Sequence, residues 1–490
     1  MNSSEPAASF HFLGFDERVW RAFFVGAATL LVVKLFFTPW FVSSDWIEYT
    51  SVLRALATRL SPAVWQQDAP VALGDYGMFV RSPVTGQMYG CHFWIYPLFC
   101  VPFYWLLQLC GRDGMAAFQV VNGLLLSAAL YAVLFKCQIP FRHRLVLAGL
   151  CVATPTFRFL FWVGPEVWSW SWTMLSVVMV LNRRFVAASV MAALAAMQNP
   201  PLMFWAFWIV AATLSQKDKR TTTLAACGAM LCFAPNLFSL LLFRTPNLIA
   251  LVGGADVGLI SRARTASFFF DLNQGMIVYL PFLVLLALGK TWQMLREREW
   301  PAVAAAFCVL AMIMSCQVAP NWNSATIGVM RYAIWMQPVL AWMVLQKFTV
   351  SGKRLWWYGF AIAMQLLITV FDTSQYRFHN TLARVVLSHA PQWYNPDPEI
   401  FVDRTLHVDT NASDYRKWLP AAFVNDQGFV TKVLITKQTL PKLSDKFNVD
   451  ARYLKTITQI PKDETESFYL HPPHNAISPR PRTLTAPTKQ

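Results

Sequence analysis

Through residue 371 the chain alternates between apolar runs long enough to form membrane helices and short connectors rich in Lys and Arg. The runs fall near 19 to 40, 114 to 135, 144 to 161, 167 to 182, 185 to 197, 201 to 214, 222 to 243, 276 to 294, 300 to 317, 332 to 348 and 355 to 371. A hydrocarbon core of roughly 30 Å needs ~20 apolar residues, so the runs predict transmembrane helices, with soft boundaries where they are short. Five connectors are basic: Lys136 with Arg142 and Arg144, Arg183 with Arg184, Lys217 to Arg220, Arg296 with Arg298, and Lys347 with Lys353 and Arg354. Cytoplasmic loops carry the excess of Lys and Arg, which puts these five inside. The alternate connectors then lie outside: residues 41 to 113, the Glu166 turn, the Asn199 turn, 244 to 275, 317 to 331, and everything after 371. The pattern predicts an all-α polytopic protein of about eleven spans, N-terminus in and C-terminus out.

The segment 93 to 110 is apolar enough to cross, and crossing would invert every later loop. Its dense aromatics and Pro97 and Pro102 suit a juxtamembrane or re-entrant helix. The expected organisation is a cytoplasmic stretch 1–18, a transmembrane domain 19–371 with an extracytoplasmic loop 41–113, a small mixed α/β extracytoplasmic region 372–470, and a disordered tail 471–490 rich in proline. Within the third region, 428 to 438 alternates like a strand. The first run has no small-residue cleavage site after it and is expected to be a retained span.

At 56% hydrophobic and 14% charged residues, composition agrees with an integral membrane protein. The formal charge of +15 raises nucleic acid as a partner, but the basic residues cluster between apolar runs, where they report topology. Nucleic acid is therefore excluded as the expected partner. The nine Cys follow neither a disulfide framework nor zinc spacing and are expected to be free thiols. GKT at 289 to 291 lacks the first Gly of a phosphate loop, DPE at 397 to 399 reads as a turn, and nothing requires a metal or other cofactor.

The charges at the outer ends of the runs carry the candidate chemistry. Asp45 and Glu48 follow the first run in SSDWIEY; three residues apart on a helix, they share a face. Trp46, Tyr49, Leu53 and Leu56 would form an apolar face lying on the bilayer. Such acids serve either as helix cap and first-turn charge or as a base that deprotonates an acceptor hydroxyl. Glu166, in the turn of FWVGPEVWSW, is a first-turn acid or a second carboxylate facing the first, with Arg158 as its partner. Arg331 stands at the outside end of a span, where the orientation rule disfavours positive charge. Either a structural pairing holds it there, or it binds the phosphate of a sugar donor. Arg158, Arg262 and Arg264 are secondary phosphate candidates, Asp68 and Asp75 weaker acids, and His92, Tyr49 and Asn199 candidates for lining a substrate cavity.

In this order the features resemble the GT-C superfamily of polytopic glycosyltransferases. The likeness is carried by SSDWIEY, CHFWIYPLFCVPFYWLL, GPEVWSW, and the pair DLNQGMIVYLPFLVLLALG and NWNSATIGVMRYAIWMQP. The resemblance implies transfer of a sugar from a polyprenyl-phosphate donor to a lipid, glycan or protein acceptor, at an outward-facing site in a bacterial inner membrane. It also implies Asp45 as base, Glu166 as supporting acid and Arg331 as donor-phosphate contact. The first motif offers Asp45 and Glu48 in place of an adjacent acid pair, and QNPP at 198 to 201 lacks the Arg that many relatives place before the prolines. A secondary transporter or lipid flippase, or a surface-polysaccharide polymerase or ligase, is the competing class; a transporter would show ionisable residues at mid-membrane and repeated halves.

Overall fold

The computed structural model describes residues 11–12, 15–40, 45–74, 77–323, 326, 328–345, 352–372, 375–460, 463–464, 466–473 and 475–480. These form two compact units. The first comprises residues 1–260, 279–318 and 331–371, and the second 261–278, 319–330 and 372–490.

The first unit is helical. Asp16 caps α1 (Glu17–Phe37) by accepting from the Val19 N–H. Large apolar side chains along α1, among them Phe23, Leu30 and Phe37, are exposed, as a lipid-facing helix requires. Helix α2 (Trp46–Arg59) ends at Leu60, which takes a left-handed conformation. A three-stranded antiparallel sheet follows, with Met88–Gly90 between Ala63–Val64 and Phe79–Arg81. Next come α3 (Ile95–Leu109), α4 (Ala117–Tyr131), α5 (Phe141–Val152) and α6 (Glu166–Leu181). Each apolar run identified in the sequence contains helix, interrupted at residues 153–154, 280 and 335–336.

Among the described residues, three helices are individually long and apolar enough to cross a membrane: Glu17–Phe37, Gly114–Lys136 and Lys219–Phe243. A fourth span is available if α5 and Pro155–Phe161, bent by 61° at their junction, count as one. Helix α3 has 15 residues, about 22 Å at a rise of 1.5 Å per residue, and falls short of a hydrocarbon core.

Buried amide side chains take up carbonyls at breaks between helices, where backbone groups lack helical partners. Gln365 donates to the carbonyls of Leu150 and Ala153 at the end of α5. Asn122 donates to those of Leu160 and Trp162, and accepts from the Tyr96 hydroxyl.

Two expectations are corrected here. The apolar face of α2 does not lie on lipid: Tyr49, Leu53 and Leu56 are buried in a core shared with α3, α4 and the start of α6, and Trp46 packs against it. The apolar surfaces of those neighbours cover it instead. Order also extends past His471, because Ile477–Pro479 pairs antiparallel with Phe447–Val449 and buries Ile477; residues 481–490 lie outside the described residues.

In the second unit, Ala421–Val424, Val430–Ile435 and Phe468–Leu470 form an antiparallel sheet in that order, the central strand falling inside the predicted 428 to 438. Arg404 is buried on the helix Pro398–Leu406 and ties separate segments together. It donates to Asn323 Oδ1 at 3.1 Å and to the carbonyls of Gln375 and Phe378.

Candidate functional site

Asp45 immediately precedes α2, yet its carboxylate makes no cap hydrogen bond. It accepts instead from Arg331 Nη1 at 3.1 Å, across 286 residues of sequence. The same Nη1 lies 3.7 Å from Glu166 Oε1. Glu166 opens α6 after Gly164 and Pro165 and is 1% exposed. One guanidinium therefore stands between two carboxylates, each delivered by the start of a helix. Two buried polar atoms of the group, Glu166 Oε2 and Arg331 Nε, have no hydrogen-bond partner among the described residues. Buried groups are normally paired, so these atoms mark where a polar ligand would complete the arrangement.

Gly164 makes room for the second acid. A Cβ at that position would stand 3.2 Å from Glu166 Cδ and overlap its Oε2.

Glu48, one turn along α2 from Asp45, is buried rather than presented to water. It accepts from His92 through both carboxylate oxygens, Oε1 from the backbone N–H at 2.5 Å and Oε2 from Nδ1 at 2.7 Å. Burial, the largest single influence, pushes the imidazole of His92 toward its neutral form, but the Glu48 carboxylate together with Cys91 and Tyr49 holds it well above its ordinary range. Gly90 permits the close approach, since a Cβ there would lie 2.7 Å from Glu48 Cγ. Tyr49 faces the His92 ring at 5.6 Å, and its hydroxyl accepts from Gln198 Nε2 at 3.1 Å. The Gln198 side chain in turn accepts from the Tyr96 N–H, while Asn199 donates to Ser169 Oγ, one turn along α6 from Glu166. The QNPP turn is tied to both acid-bearing helices.

The fold thus brings together Asp45, Glu48, Tyr49, His92, Glu166, Asn199 and Arg331. Of three further arginines read as phosphate contacts, two are engaged with other partners and two belong to the second unit. Arg158 donates to the Thr369 carbonyl at 3.1 Å, and Glu166 pairs with Arg331 instead. Arg264 is buried in the second unit near Asp397 at 3.6 Å and Glu399 at 3.5 Å, so its charge is already balanced. Arg262 is exposed on the helix Arg262–Phe270 of that unit. Of the weaker acids, Asp68 pairs with Arg59 and accepts from the Trp65 N–H, closing a loop; Asp75 lies outside the described residues. Cys91, Tyr96 and the two glycines were not anticipated at the site. The strings GCH and GPE, with Gly directly before or near a polar residue, were their only local signal.

No protein-family model matches the chain, and no curated protein matches its sequence. Among solved structures it is similar to ArnT from Cupriavidus metallidurans bound to undecaprenyl phosphate, at 16% identity and a TM-score of 0.42, covering 71% of this chain and 63% of that one. The same protein in the apo state gives 16% identity and a TM-score of 0.41, covering 71% and 62%. The archaeal oligosaccharyltransferase AglB from Archaeoglobus fulgidus, in complex with an inhibitory peptide and a dolichol-phosphate, matches at 11% identity and a TM-score of 0.43, covering 92% and 61%. The chain spans about three fifths of the length of these structures.

Proposed function

We propose that this chain is a membrane glycosyltransferase of the GT-C type, moving a sugar from a polyprenyl-phosphate donor to a hydroxyl on a lipid, glycan or protein at the outer face of a bacterial inner membrane. The observation that carries the reading is the buried Arg331 between Asp45 and Glu166, with Arg331 Nε and Glu166 Oε2 left without a partner among the described residues. A guanidinium binds phosphate through paired N–H groups and stabilises negative charge developing on a leaving phosphate. Before the donor arrives, the two carboxylates balance it. The donor phosphate would draw the guanidinium away from Asp45, freeing that carboxylate to act as base.

In the step proposed, the acceptor oxygen attacks the anomeric carbon as its proton passes to Asp45. The bond from that carbon to the phosphate oxygen breaks, its electron pair leaves on the polyprenyl phosphate, and Arg331 takes the new charge. A single displacement of this kind inverts the anomeric configuration. Glu166 keeps Arg331 in place, and Glu48, held by His92, positions α2 and is not the base. Tyr49, His92 and Asn199 border the space the sugar would occupy. The step draws on protein groups alone. Undecaprenyl phosphate and dolichol-phosphate, named with the solved structures above, are carriers of the class proposed.

The test is transfer of radiolabelled sugar from a polyprenyl-phosphate donor in membranes. Asp45→Asn should lower transfer by about a hundred- to ten-thousand-fold, the usual contribution of a positioned base. Movement of the intact donor across the membrane without cleavage would contradict the proposal.

A further inference from the structure

Arg183 and Arg184 lie in the turn that joins α6 to the next helix, α7 (Phe185–Gln198), at the opposite end of α6 from Glu166. A cavity of about 620 Å³ begins at this turn, within the ~300–1,000 Å³ range of small-ligand sites. Its inner part is apolar, lined by Trp172 of α6 and by Val190, Met191 and Leu194 of α7, all half-buried. The bias of positive charge toward one face of the membrane accounts for arginines at such a turn. It does not account for the apolar cavity that runs from them.

The polar end of the cavity is strongly positive. Both arginines line it and are exposed, and neither makes an ion pair or a side-chain hydrogen bond among the described residues. Thr221, at the start of the helix Lys219–Met230, lines it as well and follows Lys217, Lys219 and Arg220 in the chain. The acid in that connector, Asp218, is engaged in capping the helix, where it accepts from the N–H groups of Arg220 and Thr221. Phe185, Val186 and Ala187 at the start of α7 complete this end of the cavity, and no side chain caps that helix. Its first N–H groups add to the attraction for an anion.

From Arg184 to Leu194 the cavity follows α7 for about 15 Å, at a rise of 1.5 Å per residue. That is half of a hydrocarbon core of roughly 30 Å, the depth of one leaflet. An apolar trough one leaflet deep, with paired cations at its polar end, fits an acyl chain below a phosphate. We propose that it binds one anionic diacyl phospholipid, the phosphate on Arg183 and Arg184 and one acyl chain along Trp172, Met191 and Leu194. Guanidinium groups offer paired N–H donors to phosphate oxygens, and basic pockets between membrane helices hold anionic headgroups. A polyprenyl chain would outrun the trough, and inorganic phosphate would leave its apolar part uncovered. The lipid would bridge α6, α7 and the helix Lys219–Met230. The site is independent of the transfer reading, since binding is measured with no sugar donor present.

The test uses the full chain, purified in detergent, delipidated and titrated with phosphatidylglycerol or with phosphatidylcholine of the same acyl chains; native mass spectrometry counts the bound lipid. The wild type should hold one phosphatidylglycerol, at least roughly tenfold more tightly than phosphatidylcholine. Replacing both arginines, Arg183→Gln with Arg184→Gln, should weaken that binding by roughly thirtyfold. Met191→Trp fills the trough and keeps both cations, and should weaken it by at least roughly tenfold through the lost burial of the chain. Arg298→Gln, in a basic connector that does not line the cavity, should bind as the wild type does. Equal retention of the two lipids by the wild type, or a double variant that still binds phosphatidylglycerol fully, would overturn the assignment. So would complete displacement of phosphatidylglycerol by an equimolar amount of inorganic phosphate or of undecaprenyl phosphate.

Discussion

Arg331 is the residue on which the arrangement turns, because its guanidinium is the shared partner of two acids that arrive from distant parts of the chain. Its position was readable from sequence: a positive charge at the outer end of a span has no reason to be there unless something holds it. Asp45 and Glu166 were readable for a similar reason, being acids set among aromatics. The clustering of Cys91 with Glu48 was not readable, since a contact across 43 residues is made only when the loop folds back on α2. Arg158 was misread as the partner of Glu166. Residues 155–161 form a 3-10 segment after a 61° bend, and the Arg158 side chain reaches the Thr369 carbonyl. The glycine at 164 supplies the sharpest single-residue test. Gly164→Ala places a methyl group against the Glu166 carboxylate and should displace it, lowering transfer by roughly a hundredfold, as small misplacements in active sites do. Unchanged turnover in that variant would show that the position of Glu166 is immaterial.

At the scale of elements, the apolar runs predicted helices, and every run contains helix, with breaks at residues 153–154, 280 and 335–336. What the pattern left open was the covering of each apolar face. The stripe of Tyr49, Leu53 and Leu56 suits a lipid surface and a protein core equally, and the core took it because α3, α4 and the start of α6 supply apolar neighbours. Breaks in the helices were likewise hard to read, since the amides that satisfy them sit far away in sequence: Gln365 serves carbonyls of α5 more than 200 residues earlier. Gln365→Leu should leave the carbonyls of Leu150 and Ala153 without that donor and destabilise the protein by ~1–2 kcal/mol, read as a lower thermal midpoint in detergent. A midpoint equal to wild type would mean that these carbonyls find other donors.

At the scale of the whole molecule, the sequence divided the chain at residue 371, but compactness divides it otherwise. Segments 261–278 and 319–330, read as connectors, fold with the residues after 371. Arg264, Asn323 and Arg404 explain why, through buried polar contacts within that unit that no local pattern announces. The same burial makes its stability depend on pH. Burial pushes the carboxyls of Asp271 and Asp403 up to about 6, above their unfolded range near 4. The folded state then holds protons that the unfolded chain releases, so this contribution is full below about pH 4 and is lost as pH rises through 6. Up to about 3 kcal/mol per group is at stake. Amide protection in the helix Pro398–Leu406, corrected for intrinsic exchange, should therefore fall between pH 4 and 7, and Asp271→Asn should flatten the fall; protection that rises with pH would refute the account. The central claim, that Asp45 accepts the acceptor's proton while Arg331 takes the leaving phosphate, is met most directly by purified Asp45→Asn given a polyprenyl-phosphate sugar and an acceptor. The account predicts donor binding close to wild type with release of free polyprenyl phosphate reduced by about a hundredfold or more, and release near the wild-type rate would contradict it.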